Sequence, residues 1–254
     1  MKNYTEINLN INGFPINARY FREDITNLFL PLIHALSDMQ RNKKGRLIVY
    51  LAAPPGAGKT TLSLFLSHLS RTAQVSETTQ SLSRIQSVGM DGFHYPQEYI
   101  ERHYVTIGGK PIPMRNVKGS PESYDLLKLT DSIKLLREEG IVWPIYDRKL
   151  HDVVPDAVPI QDDIVLIEGN WLLLDEPGWR ELKSFCDYSI FVTADACTLK
   201  DRLIQRKVAG GLSQEQAEIF YAQSDSVNVS RSLKFCLPSD YRLVLTQDGK
   251  YSLS

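Results

Sequence analysis

The stretch Leu51–Leu62, LAAPPGAGKTTL, constrains the fold more than any other part of the chain. An apolar, β-branched run from Leu47 to Leu51 leads into it. Apolar residues at helical spacing (Leu62, Phe65, Leu66, Leu69) lead out. Strand, glycine-rich turn and helix in that order build a phosphate-binding loop. Gly56 and Gly58 let the backbone curl so that successive N–H groups face an anion, and the following helix adds its positive N-terminal end. Pro55, Gly56, Ala57, Gly58, Lys59, Thr60 and Thr61 are therefore the expected nucleotide contacts. Lys59 would reach the β- and γ-phosphates and the Thr60 hydroxyl would ligate Mg²⁺. The pattern G-x-x-x-x-G-K-[ST] has glycine where this chain has Ala53, at the strand exit; the residues nearest the phosphates match.

With 254 residues, 43% of them hydrophobic and 23% charged, the chain can bury a large single core. Its net charge of −1 gives no global attraction to nucleic acid or an anionic membrane, so anion binding must come from local arrangement. Cys186, Cys197 and Cys236 are widely spaced and odd in number, which fits free thiols in a reducing compartment. No apolar signal core or membrane span stands out, and cytoplasm is the default location.

Before the phosphate loop, alternating apolar residues around Asn12-Gly13 predict a hairpin over residues 4–20. Helical spacing follows from Phe21 to about Arg41, making residues 1–45 a packing addition to a main unit over 46–254. After the loop helix and a polar connector at 72–83, Ile85–Met90 reads as a strand that delivers Asp91 at its carboxyl end, a position suited to site chemistry. Phe93, His94 and Tyr95 follow and could wall a pocket. Residues 105–123, rich in Gly and Pro and carrying Lys110, Arg115 and Lys118, read as a long loop, of a kind usually functional or mobile. A helix is expected from Ser120 to about Glu139. A short strand over Ile141–Tyr146, a loop rich in Asp and Pro, and a buried strand over Ile164–Ile167 come next. That last strand ends in Glu168, which fits a carboxylate on the metal side; Asp175-Glu176, after the Leu172–Leu174 run, is the weaker rival. Tyr188–Thr193 is a further strand and Thr198–Val208 a basic helix closed by Gly210-Gly211. Ser213 and Gln216 form a capping box for a helix to about Phe235, before a final strand at Tyr241–Leu245 and a closing hairpin at Asp248-Gly249. Strands and helices alternate from residue 46 onward, so the expected fold is α/β, a doubly wound and mostly parallel sheet flanked by helices.

PPGAGKTT, MDGFHYP, KGSPESYD (118–125), YDRKLHDVVPD (146–156) and IVLIEGNWLLL together resemble the P-loop small-molecule kinases grouped around uridine kinase, phosphoribulokinase and bacterial pantothenate kinase, over about residues 46–235. KGSPESYD and DGF are similar to pantothenate kinase. EGNWLLL and the Asp225–Asn228 pair are similar to an uncharacterised bacterial branch linked to nucleoside and sugar kinases. The resemblance implies ATP and Mg²⁺ as cofactors and a small-molecule acceptor (a nucleoside, a sugar or a pantothenate-like compound), with no nucleic acid or membrane partner and a homodimer left open. It implies that Asp91 activates the acceptor hydroxyl. His94, Tyr95, Arg115, Tyr146, Asp147, Arg148, His151 and Asn228 are the implied acceptor contacts. Arg148 departs from the residue usual in pantothenate kinases. The helix carrying Arg202 and Arg206 corresponds to a lid near 200–212 that closes over the transferring phosphate, with Arg206 catalytic and Arg202 on the nucleotide.

A switching or regulatory NTPase without an acceptor is the rival class. Its guanine-reading motif Asn-Lys-x-Asp is missing, since the only Asn-Lys is Asn42-Lys43, followed by Lys44-Gly45. An ATP-binding module that has lost catalysis has only Ala53 in its favour. If the loop holds the phosphates, Lys59→Ala abolishes phosphoryl transfer while circular dichroism shows the fold intact, because the phosphate charge loses its fixed counter-charge. Wild-type turnover in that variant would remove the assignment.

Overall fold

The computed structural model describes residues 3–11, 14–73, 81–138 and 140–254. The Asn12-Gly13 turn and most of the 72–83 connector thus lie outside the described residues. Six strands form the central sheet: β3 (Leu47–Ala52), β4 (Ile85–Gly89), β9 (Ile164–Gly169), β10 (Tyr188–Ala194), β11 (Tyr241–Leu245) and β12 (Tyr251–Leu253). Their order is β12-β11-β10-β3-β9-β4, and every pairing is parallel except β11 with β12. The chain leaves β3 for the edge at β4, returns to β9 between them, then crosses to β10 and β11. The direction of connection therefore reverses at β3, and a crevice opens there at the carboxyl ends of the strands.

The central strands are buried on both faces, as their unbroken apolar sequence requires. Leu47, Val49 and Leu51 of β3 join one core, while Ile48, Tyr50 and Ala52 join the other, following the two-residue period of a strand. The first core is covered by α1 (22–41, with a π turn at Ile25–Phe29), by α2 (Lys59–Thr72) and by α5 (Ala196–Ala209). It also receives the N-terminal hairpin β1 (Tyr4–Ile11) and β2 (Phe14–Phe21), whose Ala18 and Tyr20 are buried in it. Tyr20 stacks on Phe65 of α2 at 3.8 Å, and Phe29 meets Phe65 edge-on at 5.9 Å. The three cysteines are free.

Three expectations need correction. Residues 105–123 are not a continuous loop: β5 (Tyr104–Ile107) and β6 (Lys110–Pro113) pair antiparallel around Gly108-Gly109, both at positive φ, a hairpin turn that the Gly-Gly pair encodes. The helix expected from Ser120 begins instead as α4 (Leu126–Leu135), because Asp125 is the N-cap and accepts from the Lys128 amide at 3.0 Å. Upstream, backbone bonds from Tyr95 to Ser123 and from Asp125 to Phe93 hold 123–125 extended beside 93–95. The Asp/Pro-rich stretch is strand β8 (Asp152–Pro159), paired antiparallel with β7 (Val142–Asp147) outside the central sheet. An isolated two-stranded pair has free edges where proline is tolerated. The remaining helices are the short α3 (Gln97–Arg102) and α6 (214–234), the latter opened by the expected Ser213 capping box and interrupted by a π turn at Tyr221–Asp225.

Phe65 has no exposed surface and packs against Tyr20 of the hairpin and Phe29 of α1, both of which meet Tyr251 of the C-terminal strand. Phe65→Ala should therefore cost about 3–5 kcal/mol, read as a lower urea midpoint. A loss under about 1 kcal/mol would show that the hairpin does not depend on this contact.

Candidate active site

Register gathers the site. Leu51 of β3 and Gly89 of β4 both lie opposite Glu168 of β9, so the phosphate loop, Asp91 and Glu168 emerge side by side. Gly56 (φ 86°) and Gly58 (φ 81°) take the left-handed conformation the loop needs. A Cβ at Gly56 would lie 3.0 Å from Leu203 and 3.2 Å from the Leu199 carbonyl, so α5 packs directly on the loop. A Cβ at Gly58 would come within 3.3 Å of the Arg202 guanidinium. Thr60, in the first turn of α2, donates to Glu168 Oε1 at 2.8 Å. Gly89 makes this approach possible, since a Cβ there would sit 3.3 Å from the same oxygen.

Burial holds Lys59 below the usual lysine range; Glu168 and Asp91 pull it back up, and Arg206 and Arg148 oppose them. Glu168 is 6% exposed, and burial raises its pKa, Asp91 adding to the rise while Lys59, the Thr60 hydroxyl and Arg148 counter it. Asp91 goes the other way. Burial alone would raise it, but His94, Lys59, the Tyr124 hydroxyl and Arg148 together hold it below the ordinary aspartate value. The two neighbouring carboxyls are thus pushed apart, Asp91 down and Glu168 up. Tyr124 donates to Asp91 Oδ1 at 3.0 Å. Its ring stacks on His94 at 3.8 Å, and His94 Nδ1 lies 3.1 Å from the Ser123 carbonyl.

A cavity of about 150 Å³ opens beside Asp91, Thr60 and Glu168, bounded by Trp143 and Tyr146 of β7 and by Arg148. Two residues of the N-terminal hairpin, Asn10 and Ile11, also line it. Of the expected acceptor contacts, Tyr146 and Arg148 reach this cavity. His94 stands behind it through Tyr124. Tyr95 stacks on Tyr99 at 4.5 Å. Asp147 accepts from the amides of Lys149 and Leu150 at 2.7 and 3.1 Å, closing the β7–β8 turn. His151 is exposed at that turn with φ 55°. Arg115 lines a separate cleft with Lys118 and Lys207. Asn228 is buried, its side-chain nitrogen 3.9 Å from where a Gly119 Cβ would be. The acid pair Asp175 and Glu176 is engaged elsewhere, by Arg180 and Arg231.

Sequence reasoning did not single out Tyr124, Trp143, Asn10 or Ile11. Tyr124 lies inside KGSPESYD, where one aromatic among polar residues was the available signal. The hairpin residues carried none, because their relation to the cavity is made only by packing.

The phosphoribulokinase / uridine kinase family model matches residues 48–217. An uncharacterised protein of Escherichia coli (strain K12), YggC, is 41% identical over 247 residues, spanning 97% of this chain and 98% of its own length. The pantothenate kinase of Levilactobacillus brevis is 27% identical over 215 residues, covering 75% of this chain and 64% of that enzyme. Among solved structures, a candidate fructose transport system kinase from Silicibacter sp. TM1040 superposes with a TM-score of 0.70 at 29% identity, covering 84% of this chain and 98% of the other. No helix among the described residues is long and apolar enough to cross a membrane.

The Tyr124 hydroxyl gives the electrostatics a direct test. A hydrogen bond to the ionised form favours ionisation, so Tyr124→Phe should make the Asp91 carboxyl titrate at higher pH than in the wild type, followed by carboxyl-carbon NMR. An unmoved titration would show that the hydroxyl does not set the charge of Asp91.

Proposed function

The chain belongs to the phosphoribulokinase / uridine kinase family, as a P-loop kinase of the uridine and pantothenate kinase type, and from that premise we propose that it transfers the γ-phosphoryl group of ATP to a hydroxyl of a small metabolite, a nucleoside, a sugar or a pantothenate-like compound. The observation that carries this reading is the convergence of Thr60, Glu168 and Asp91 on one small cavity, with the charge of Lys59 felt by both acids. A switching NTPase has no use for a second carboxylate, of lowered pKa, lining a cavity beside the phosphate loop.

The residues fit Mg²⁺ and a nucleotide: left-handed glycines shape the loop, and a hydroxyl and a buried carboxylate meet at its end. When bound, Mg²⁺ would neutralise charge developing on the phosphates; Thr60 and Glu168 would hold it, Glu168 through its water shell. Lys59, Arg202 and Arg206 supply the protein's own positive charge. Asp91 orients the acceptor hydroxyl and accepts its proton as the O–P bond forms, a role for which it must be ionised near neutrality. Its lowered pKa agrees with that requirement. Tyr124 positions Asp91, and Trp143, Tyr146 and Arg148 wall the acceptor. Leu199, Leu203 and Ile204 anchor α5 in the core as far as residue 204, so lid closure would involve the stretch from Arg206 through Gly211, whose φ is 104°.

Coupled ADP release against nucleosides, pantothenate and ketoses tests the class: a kinase rises many-fold with the right acceptor, and acceptor-independent turnover throughout would favour the switching NTPase. The roles of the two acids separate in a magnesium series. Asp91→Asn should lower kcat by about 10²-fold or more with nucleotide affinity little changed. Glu168→Gln should raise the Mg²⁺ concentration needed for half-maximal rate. The opposite pattern would exchange the two assignments.

A further inference from the structure

A second concavity adjoins the acceptor cavity. This cleft, about 850 Å³, runs between the segment after β6 and the helices α5 and α6. One wall carries Arg115 and Lys118, the other Lys207, with Phe220, Gln223 and Ser224 between them. No aspartate or glutamate lines it among the described residues. Its cations come from separate elements, so they are not one solvated face of a helix. In a chain of net charge −1, this is a local concentration of positive charge.

The charges are also poorly compensated. Lys118 is half-buried, and its ammonium donates to two neutral groups, the Gln97 side-chain carbonyl and the Tyr146 hydroxyl, the latter at 2.8 Å. Lys207 lies 3.5 Å from the centre of the Phe220 ring. Burial pushes its pKa down; Asp225 resists, and the charges of Arg206 and Arg148 add to the fall. A lysine so placed gains from a bound anion. The phosphate loop itself is served by Lys59, and by Arg202 at Gly58. Tyr146 joins the two spaces, lining the cavity beside Asp91 while its hydroxyl accepts a hydrogen bond from Lys118.

We propose that the acceptor is an anionic hydroxyl compound: its reacting hydroxyl enters the cavity at Asp91, and its other end, a phosphate ester or a carboxylate, sits in the cleft between Arg115, Lys118 and Lys207. Arg115 offers a planar fork to either anion, and the lysines add point charges. The inference rests on the kinase reading and narrows it to acceptors that carry a negative charge away from the reacting hydroxyl.

The test fills the phosphate loop first. With Mg²⁺ and adenylyl imidodiphosphate bound, inorganic phosphate and, separately, acetate are titrated by calorimetry. At least one of them should occupy a further site, weakened tenfold or more by Arg115→Glu and by raised ionic strength, and largely restored in Arg115→Lys. Phosphate alone would identify a phosphate ester, acetate alone a carboxylate. Arg115 is exposed, so its replacement leaves the core untouched. If neither anion binds to the intact nucleotide complex, or if binding ignores Arg115→Glu, the anionic acceptor is overturned while the kinase reading stands. Failure of the nucleotide analogue to bind would overturn both.

Discussion

The hydrogen bond from Thr60 to Glu168 is the contact on which the site depends. It joins the first turn of the loop helix to the end of a buried strand, linking the phosphate loop to the acid. The bond requires the parallel register that sets Leu51 and Gly89 against Glu168, and it requires glycine at position 89 so that the carboxylate has room. A buried carboxylate is costly unless it is hydrogen-bonded and faces positive charge. Here Thr60 supplies the bond and Lys59 the charge, in a place where a cation bound beside phosphate would complete the compensation.

The same low-dielectric setting separates the two acids. Glu168 is enclosed by strands and rises; Asp91, on a 3-10 turn just past β4, meets Lys59, His94 and Tyr124 and falls. The turn is held by tight packing: a Cβ at Gly92 would lie 2.3 Å from the Pro144 carbonyl, and Phe93 meets Trp143 edge-on at 4.8 Å. The β7–β8 pair therefore does more than wall a pocket. Its backbone fixes where Asp91 can stand, which couples the position of the base to the shape of the acceptor cavity.

Much of the candidate site was legible before any coordinates. The phosphate loop, Asp91 and Glu168 each end a recognisable strand or open a recognisable helix, so local pattern was enough to mark them. The acceptor side was harder. Asp147 looked like a polar contact, yet its carboxylate caps a turn; an aspartate at the start of a tight turn bonds the amides two and three residues ahead, and nothing in the sequence distinguishes that use from ligand binding. Tyr124 bonds Asp91 across 33 residues of chain, a pairing that no period can reveal.

The sequence by itself determined the α/β class, the strand–loop–helix around Gly56–Thr60 and the acids that follow two further apolar runs. These depend on local propensity and on periods of two or 3.6 residues, which a single chain displays directly. Tertiary structure decided what lies opposite what. It placed β9 between β3 and β4, set the β5–β6 and β7–β8 hairpins apart from the central sheet, brought Asn10 and Ile11 of the N-terminal hairpin to the cavity at Asp91, and lined one cleft with cations from two distant segments. Such neighbours are chosen by packing and register between distant segments, where the free energy belongs to the pair and to neither stretch alone.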